Sequence, residues 1–350
     1  MQRLLKAVAL VLMLTMAAAF PALANGVVTV YGWSGDWDLW FQDWGEKFER
    51  ETGIKVQYVS GGGLEMFSRL VAEQGAPRAD VFLSSGSYLF QAANMGLLES
   101  IDWSQVPNAS QVADQFKYDK VAVFGYDVYQ IAYNTRTVPA GSKPTRWEDL
   151  ADPRYKGRVI QRTPESDLTA WIWMVLADQY GEEYAWEQLV AMFNNSNHWV
   201  GTVGEVVQAL SFGEADLSPA SIGHIMLAVQ MAGGDVASAV PDRPVLMLNG
   251  LGIVKNSPNP EGALKFVNFF LGEYVQDFIM NFAGTSMAVN SSVPLTNTAL
   301  VRIGLGGVAV EDVLARAYLP DFAYWTEVLE DGTTRLGQLS EEIGRRVKGL

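Results

Sequence analysis

The chain has 350 residues, of which 49% are hydrophobic, and it carries a formal net charge of −14 at pH 7 and no cysteine. A chain of this length and hydrophobicity can bury a sizeable core without disulfides, and its length favours two domains. The acidic balance disfavours nucleic acid and anionic membrane surfaces as partners. It leaves the charge of a small ligand open, because the local field of a site can oppose the global one.

The first 24 residues have the pattern of a secretory signal peptide. Two cations precede an apolar run over residues 7–20, and Ala22-Leu23-Ala24 provides an Ala-x-Ala cleavage site. The run is short for a bilayer crossing, which needs about 20 apolar residues. We therefore expect residues 1–24 to be removed. The rest should be exported without a lipid anchor, most simply to a Gram-negative periplasm.

The first third of the chain after this segment alternates strand and helix patterns. Strands are predicted at residues 27–31, 54–58 and 80–83, and a helix is predicted after each of them. The first helix carries Trp37, Trp40, Phe41, Trp44 and Phe48 at helical spacing and should stop at Gly53. This βαβαβ order predicts a parallel α/β sheet with ligand-facing loops at the carboxyl ends of its strands.

The middle of the chain repeats this pattern, with strands at 158–160 and 215–217 and helices from about Leu168 and Ile222. The extended segments 129–134 and 245–254 flank this block, and we expect them to cross between two lobes. One long amphipathic helix is predicted from Gly262 to Phe282, followed by a polar loop and a helical tail. The predicted lobes are residues 25–133 with 250–350, and residues 134–249.

Four stretches carry a resemblance to a known family. They read "ETGIKVQYVSGGGLEMFSRL", "PRADVFLSSGSYLFQAANMGLL", "YQIAYNT" and "TRWEDLADPRYKGRV". In this order the chain resembles the extracellular solute-binding proteins that feed ABC importers, within the type II cluster that includes ferric-iron, thiamine, phosphonate, sugar-phosphate and polyamine binders. The resemblance covers nearly the whole chain after residue 24 and is weakest after Ser292.

The resemblance implies an α/β, two-lobed periplasmic-binding-protein type II fold. Each lobe would be a mixed or parallel sheet flanked by helices, and two hinge strands would join the lobes and let them close over a ligand. It also implies a monomer without a cofactor, whose partners are a small-molecule ligand and the transmembrane subunits of an ABC permease. Stable membrane insertion is not expected.

Strand ends that open helices present unpaired N–H groups and the positive end of the helix dipole to a ligand. The triglycine after Ser60 allows close backbone approach, although it fits neither a Walker loop nor a dinucleotide fingerprint. A glycine turn with a helix cap is the alternative explanation. The predicted ligand-binding residues are Trp33, Ser34, Asp36, Ser60, Gly61, Gly62, Gly63, Ser84, Ser85, Tyr88, Thr163, Ser166, Asp167, Thr202, Ser218 and Ser221.

The tryptophan-rich stretch after the first strand divides into two parts. Trp40, Phe41, Trp44 and Phe48 share one helical stripe, which favours core packing. Trp33, Ser34 and Asp36 precede the helix and are predicted to form the cleft wall. Trp37, in the first turn, fits either role.

Two ligand classes remain open at this point. Serine and threonine hydroxyls at helix starts, with Arg162 and Arg243 as possible clamps, favour a small polar solute bearing phosphate, phosphonate or carboxylate. The alternative is a polyamine or thiamine-like cation stacked on Trp33 and Tyr88. Carboxylates near these rings do little to separate the two ligand classes, because acidic residues also favour the dipole in the first turn of any helix.

Iron binding and catalysis are both disfavoured by the sequence. Ferric binders of the cluster hold the metal through two neighbouring tyrosines after a phrase resembling Gly213–Leu217, but here Ser218-Pro219-Ala220-Ser221 follows it. No metal site is predicted from the two histidines, His198 and His224. The sequence contains neither a Gly-x-Ser-x-Gly nucleophile elbow, nor a zinc-binding His-Glu-x-x-His helix, nor a cysteine nucleophile. No catalytic residue is therefore predicted, and a secreted hydrolase is a minor alternative.

Overall fold

The computed structural model describes residues 26–232 and 235–349, so the predicted signal peptide lies outside the described residues. The strands are β1 (Val27–Trp33), β2 (Lys55–Gly61), β3 (Val81–Ser85), β4 (Ala122–Asn134), β5 (Val159–Arg162), β6 (Ser196–Val200), β7 (Leu217–Ser221), β8 (Val236–Ala239), β9 (Val245–Ile253) and β10 (Met287–Ala288). The helices are α1 (Asp36–Thr52), α2 (Gly63–Ala72), α3 (Gly86–Asn94), α4 (Asp167–Tyr180), α5 (Glu182–Asn195), α6 (Val203–Phe212), α7 (Ile222–Ala232), α8 (Pro260–Phe270), α9 (Glu273–Asp277), α10 (Val310–Arg316), α11 (Phe322–Trp325) and α12 (Arg335–Lys348). Across the described ranges, no helix combines the length and the hydrophobicity needed to cross a membrane.

Helix α1 has the boundaries that its sequence predicts. Asp36 and Asp38 lie in its first turn, where negative charge favours the helix dipole. Gly53 follows its last turn with a φ of 73°, a left-handed conformation that glycine adopts without the steric cost of a Cβ. The predicted stop at Gly53 is confirmed.

The sheet consists of two parallel groups joined by two long antiparallel strands. The order is β2-β1-β3-β9-β4-β7-β5-β6, with β8 and β10 also paired to β4. Strands β2, β1 and β3 are parallel to one another, as are β7, β5 and β6, whereas β9 and β4 run antiparallel to their neighbours. Strand β4 pairs with β9 over residues 122–129 and with β7 over 129–133, so the crossing strand is longer than predicted.

The single helix predicted from Gly262 to Phe282 is wrong. Helix α8 ends at Phe270, the chain turns through Gly272 in an extended conformation, and α9 is followed by one π-helical turn. The side-chain amide of Gln276 donates to the Phe270 carbonyl at 3.0 Å and to the Phe124 carbonyl at 2.6 Å. In a continuous helix and sheet, backbone N–H groups would donate to these two carbonyls. Here the side chain of Gln276 donates to them instead.

The core on the α1 side of the sheet is aromatic. Phe41, Trp44 and Phe48 are buried and pack edge-on or tilted against Phe266 and Phe270, with ring centroids 5.3–6.2 Å apart. Such offset geometry suits the quadrupoles of aromatic rings. The prediction of core packing is confirmed for these three residues of α1.

The C-terminal region contacts both predicted lobes. The Phe322 ring stacks on Phe90 at 5.4 Å and meets Trp171 edge-on at 5.3 Å. A Cβ at Gly86 would lie 2.8 Å from the Phe322 ring, so glycine is required for this approach. Helix α12 packs against α4 and α5, which belong to the predicted second lobe, and the lobe boundaries stay a prediction.

Asp80→Ala should destabilise the fold. The buried Asp80 carboxylate accepts hydrogen bonds from the Thr29 amide (2.7 Å), the Ser257 hydroxyl (2.6 Å) and the Asn259 amide (2.6 Å), joining three segments. Removing it leaves buried donors unpaired, so we expect the free energy of unfolding to fall by roughly 3 kcal/mol in urea titrations. Asp114→Ala, at an exposed carboxylate, is the control and should change it by less than about 0.5 kcal/mol. Equal effects of both substitutions would contradict this role.

Candidate ligand-binding site

A cavity of about 290 Å³ lies between the ends of β1 and β7, beside the central strands β4 and β9. The connections through β9 and β4 make β1 and β7 antiparallel, so their carboxyl ends point toward each other. This is the position predicted for the ligand. Larger depressions of about 530 and 610 Å³ lie beside α8 and α10, but no strand end that opens a helix lines either of them.

Three tryptophans form one wall of the cavity. Trp33, Trp37 and Trp40 are half-buried and line it, with ring centroids 4.8 Å apart for the first pair and 5.2 Å for the second. Trp37 also reaches Trp44 in the core at 5.8 Å, so it serves both of the roles left open by the sequence. Trp40 differs from its predicted core role, because the first turns of α1 approach the cavity.

The floor of the cavity holds a buried carboxylate, Asp127, which comes from the middle of β4. It is 7% exposed and accepts a hydrogen bond from the Ile222 amide at 2.9 Å. Burial raises the pKa of Asp127 to about 7, and hydrogen bonds from the Ser221 hydroxyl and from the amides of Ile222, Val128 and Gly223 oppose the rise. The amino end of α7 is thus already occupied by a protein carboxylate.

Arg162, at the end of β5, is the cation of the cleft. Its charge lowers the pKa of His224, which burial also lowers to give a value of about 4, and it opposes the burial-raised pKa of Tyr88 and Tyr129. Arg162 forms no ion pair with a described residue, and its Nε is buried without a hydrogen-bond partner. By contrast, Arg243 pairs with Asp178 at 2.5 Å. Arg162 is therefore available for a ligand, and Arg243 has a structural partner.

A side-chain hydrogen bond joins the amino ends of two helices that belong to different predicted lobes. The Ser87 hydroxyl, in the first turn of α3, donates to the Asp167 carboxylate in the first turn of α4 at 2.9 Å. Tyr88 lies beside this bond, and its pKa is raised first by burial and then by the charge of Asp167. The bond can form only while the amino ends of α3 and α4 are close together.

The structure brings several predicted ligand residues together. Trp33, Asp36 and Ser221 line the cavity. A Cβ at Gly63 would lie 3.1 Å from the Tyr88 ring and 3.8 Å from Trp33 Nε1, so these three residues are neighbours. Ser84, at the end of β3, is buried and its hydroxyl has no hydrogen-bond partner among the described residues.

Other predicted residues are engaged with the protein itself. Thr202 is exposed and forms a reciprocal cap with Glu205, whereas Ser218 is fully buried and its hydroxyl donates to the Pro219 carbonyl at 3.0 Å. Further contacts are Ser34 N to Gly61 O (3.2 Å), Gly62 N to Glu65 Oε2 (3.2 Å), Thr163 N to Val200 O (3.1 Å) and Leu168 N to Ser166 Oγ (3.3 Å). Ser60 is the last but one residue of β2, and Ser85 precedes α3. The ligand roles of these residues stay predictions.

Sequence reasoning missed Asp127, Asn249 and Thr285, which also line the cavity. Asp127 is the one acid in the thirteen residues of β4, all of them buried, and an acid in such an apolar strand is a usable signal. Asn249 and Thr285 gave no such signal. Their positions depend on the pairing of β9 and on the turn after α9, which no local pattern specifies.

Comparisons with known proteins agree with this architecture. The family model described as bacterial extracellular solute-binding protein matches residues 43–300. The chain is 30% identical over 250 residues to the iron uptake protein A1 of Synechocystis sp., covering 67% of this chain and 68% of that protein. It is 26% identical over 287 residues to the putative 2-aminoethylphosphonate-binding periplasmic protein of Salmonella typhimurium, covering 79% and 82%.

A solved structure supports the fold directly. The periplasmic binding protein P5PA is similar with a TM-score of 0.71 at 24% identity, over 92% of this chain and 99% of that one. Because the match spans nearly both chains, the predicted periplasmic-binding-protein fold is confirmed.

Asp127→Asn should flatten the pH dependence of stability. The pKa of Asp127 is about 7 in the folded protein against an ordinary 3.8, so the folded state binds the proton more tightly. The protonated carboxyl therefore adds to the free energy of unfolding. This addition is complete below pH 3.8 and is lost as pH rises through 7, and it amounts to at most roughly 4 kcal/mol at about 1.4 kcal/mol per pKa unit.

The measurement is the difference in free energy of unfolding between wild type and Asp127→Asn from pH 4 to pH 8. The difference isolates Asp127, because His224, with its lowered pKa of about 4, contributes in the opposite direction in both proteins. Asparagine keeps an oxygen that can accept from the Ile222 amide. A difference that does not vary with pH would contradict the raised pKa.

Ser87→Ala should weaken the closed form. It removes the donor to Asp167 and leaves that carboxylate without its partner across the cleft. We expect a bound ligand to dissociate roughly tenfold faster in stopped-flow measurements, since a hydrogen bond to a charged group contributes about 1.5–3 kcal/mol. Ser104→Ala, which removes a similar bond to Asp102 within a surface turn, is the control. An unchanged dissociation rate in Ser87→Ala would exclude a role in closure.

Proposed function

This chain belongs to the family of bacterial extracellular solute-binding proteins, and we propose that it captures a small organic solute bearing phosphate, phosphonate or carboxylate. Proteins of this family are the solute-binding components of ABC transporters rather than enzymes, as the sequence predicted. The solute would be held between the two lobes and released to a membrane permease. Export to the periplasm by the predicted signal peptide, and action as a monomer, are part of the same proposal.

The observation that carries this ligand class is the state of Arg162. Arg162 is partly buried, its Nε is buried without a hydrogen-bond partner, and it forms no ion pair with a described residue, so its charge lacks part of the compensation that the protein could give. An oxyanion supplies that compensation, and the planar fork of arginine suits the geometry of carboxylate and phosphate. The buried, unpartnered hydroxyl of Ser84 is a further donor near the end of β3.

The charges around Tyr88 do not separate the two ligand classes. The carboxylate of Asp167 acts on the Tyr88 hydroxyl more strongly than the guanidinium of Arg162 does, so the alternative of a cation stacked between Trp33 and Tyr88 stays open. Among the relatives, one is described as binding 2-aminoethylphosphonate, an anion-bearing solute, which is consistent with the proposed class.

Iron is a weaker candidate, although one relative is an iron uptake protein. In this chain β7 ends in Ser218-Pro219-Ala220-Ser221, without the neighbouring tyrosines that the resemblance associates with ferric iron. No group of three or more His, Cys, Asp and Glu within residues 26–232 and 235–349 is arranged to hold a metal ion.

Closure provides the mechanism of capture. Strands β4 and β9 connect the two predicted lobes, and bending of these strands would let one lobe bind solute before the other completes the contacts. Closure is favoured only by the difference in ligand affinity between the closed and open forms. A ligand that neutralises Arg162 while the Ser87–Asp167 bond forms would favour the closed form in this way.

A melting-temperature screen with Arg162→Gln tests the proposal. A phosphonate, phosphate ester or carboxylate present at 100 times its Kd should raise the Tm of the wild type by roughly 5 °C. Arg162→Gln should weaken binding at least about tenfold, because a charge-assisted contact is lost. Arg154→Gln, at an exposed arginine on the same predicted lobe, should bind like wild type.

Two outcomes would contradict the anionic ligand class. One is stabilisation by polyamines or thiamine but by none of the anions. The other is undiminished anion binding by Arg162→Gln, provided that its Tm without ligand stays near the wild-type value.

A further inference from the structure

The cavity beside the tryptophans has a different electrostatic character from the Arg162 side of the cleft. Asp36 and Asp127 contribute carboxylates to its lining, and no lysine or arginine is among the residues that line it. His224 also lines the cavity, but burial and the charge of Arg162 lower its pKa to about 4, so its imidazole is neutral at pH 7. The titratable groups around the cavity therefore give it a negative potential.

Asp127 has hydrogen bonds but no cationic partner. It forms no ion pair with any residue in the described ranges, and its contacts are amides and the Ser221 hydroxyl. Despite these contacts, burial keeps its pKa near 7, which indicates that its charge is only partly compensated. A positive charge that enters the cavity stabilises a buried carboxylate whose charge is only partly compensated.

The remaining lining fits an organic ammonium better than a hydrated inorganic cation. The indole rings of Trp33, Trp37 and Trp40 attract a cation through their ring faces. Thr285 lines the cavity, and its hydroxyl is buried without a hydrogen-bond partner among the described residues, so it has a free acceptor for an N–H. Carboxylate, indole and hydroxyl are thus grouped in one small space.

We propose that this cavity is an ammonium subsite and that the captured solute is zwitterionic, with its anionic group toward Arg162 and its ammonium against Trp33, Trp37 and Asp127. Arg162 lies within electrostatic range of the cavity, because its charge acts on His224, which lines it. The position of the anionic group rests on the proposed function. The position of the ammonium group is inferred from the cavity lining alone.

Calorimetric titration with three matched probes separates the two halves. The probes are 3-aminopropylphosphonate, propylphosphonate and propylamine. The wild type should bind the aminophosphonate at least about tenfold more tightly than propylphosphonate, since only the aminophosphonate has an ammonium to place on an aromatic face and beside a carboxylate.

Proton release gives a second readout that a purely structural role would not produce. A carboxyl group with a pKa of about 7 is half protonated at pH 7, so an ammonium that lowers this pKa displaces up to about half a proton per ligand. Asp36 on α1, His224 on α7 and Arg162 on β5 are the other charged or titratable groups around the site, and His224 is neutral at this pH. Titrations in buffers of different ionisation enthalpy should detect more release with the aminophosphonate than with propylphosphonate, whose phosphonate group can itself exchange a proton, and no such excess in Asp127→Asn.

Single substitutions locate the ammonium. Asp36→Asn and Thr285→Val should each reduce the preference for the aminophosphonate over propylphosphonate about threefold or more while leaving propylphosphonate affinity unchanged. Glu49→Gln removes an exposed acid on the outer side of α1 and should keep the wild-type preference. These side chains lie at the cavity or on the surface, so a normal Tm of each variant verifies folding.

The outcomes distinguish the two proposals. Equal binding and equal proton release for the two phosphonates overturn the ammonium subsite and leave the proposed function standing. Binding of propylamine, sensitive to Asp36→Asn, with no binding of either phosphonate supports the subsite and overturns the proposed anionic ligand. Failure of all three probes to bind overturns both.

Discussion

The antiparallel pairing of β4 with β9 is the constraint on which the rest of the structure depends. These strands reverse the direction of the sheet between its two parallel groups, so the strands of one group point toward those of the other. The helix starts that follow β1 and β7 consequently meet across one cleft. If the two groups ran in the same direction, their strand ends would not face each other.

The same pairing explains where the charges of the cleft lie. Asp127 is carried into the interior by β4, where its neighbours are backbone amides at the start of α7, while Arg162 ends β5 in the other parallel group. Neither charge forms an ion pair with a described residue, and His224, on which the charge of Arg162 acts, is kept neutral. The proposed zwitterionic solute would meet these two charges with opposite ones.

Elements with strong local signals were predictable from the sequence. The aromatic stripe and Gly53 defined α1, and the β-α alternation predicted the first parallel group. The break at Gly272 was missed, because the apolar periodicity continues across it while Gln276 redirects the backbone hydrogen bonds. Cavity residues on crossing strands, such as Asn249, could not be found, since strand pairing over long sequence separations decides which side chains meet.

The Phe322 contact makes the C-terminal tail a third connection between the halves, beside β4 and β9. Its ring is held between Phe90, before the crossing strands, and Trp171, after them. The halves cannot swing apart freely about two strands alone, because one of these ring contacts must slide or separate. In the proposed opening, the ring contacts of Phe322, far along the chain from the walls of the cavity, would limit how far the halves separate and how large a solute can enter.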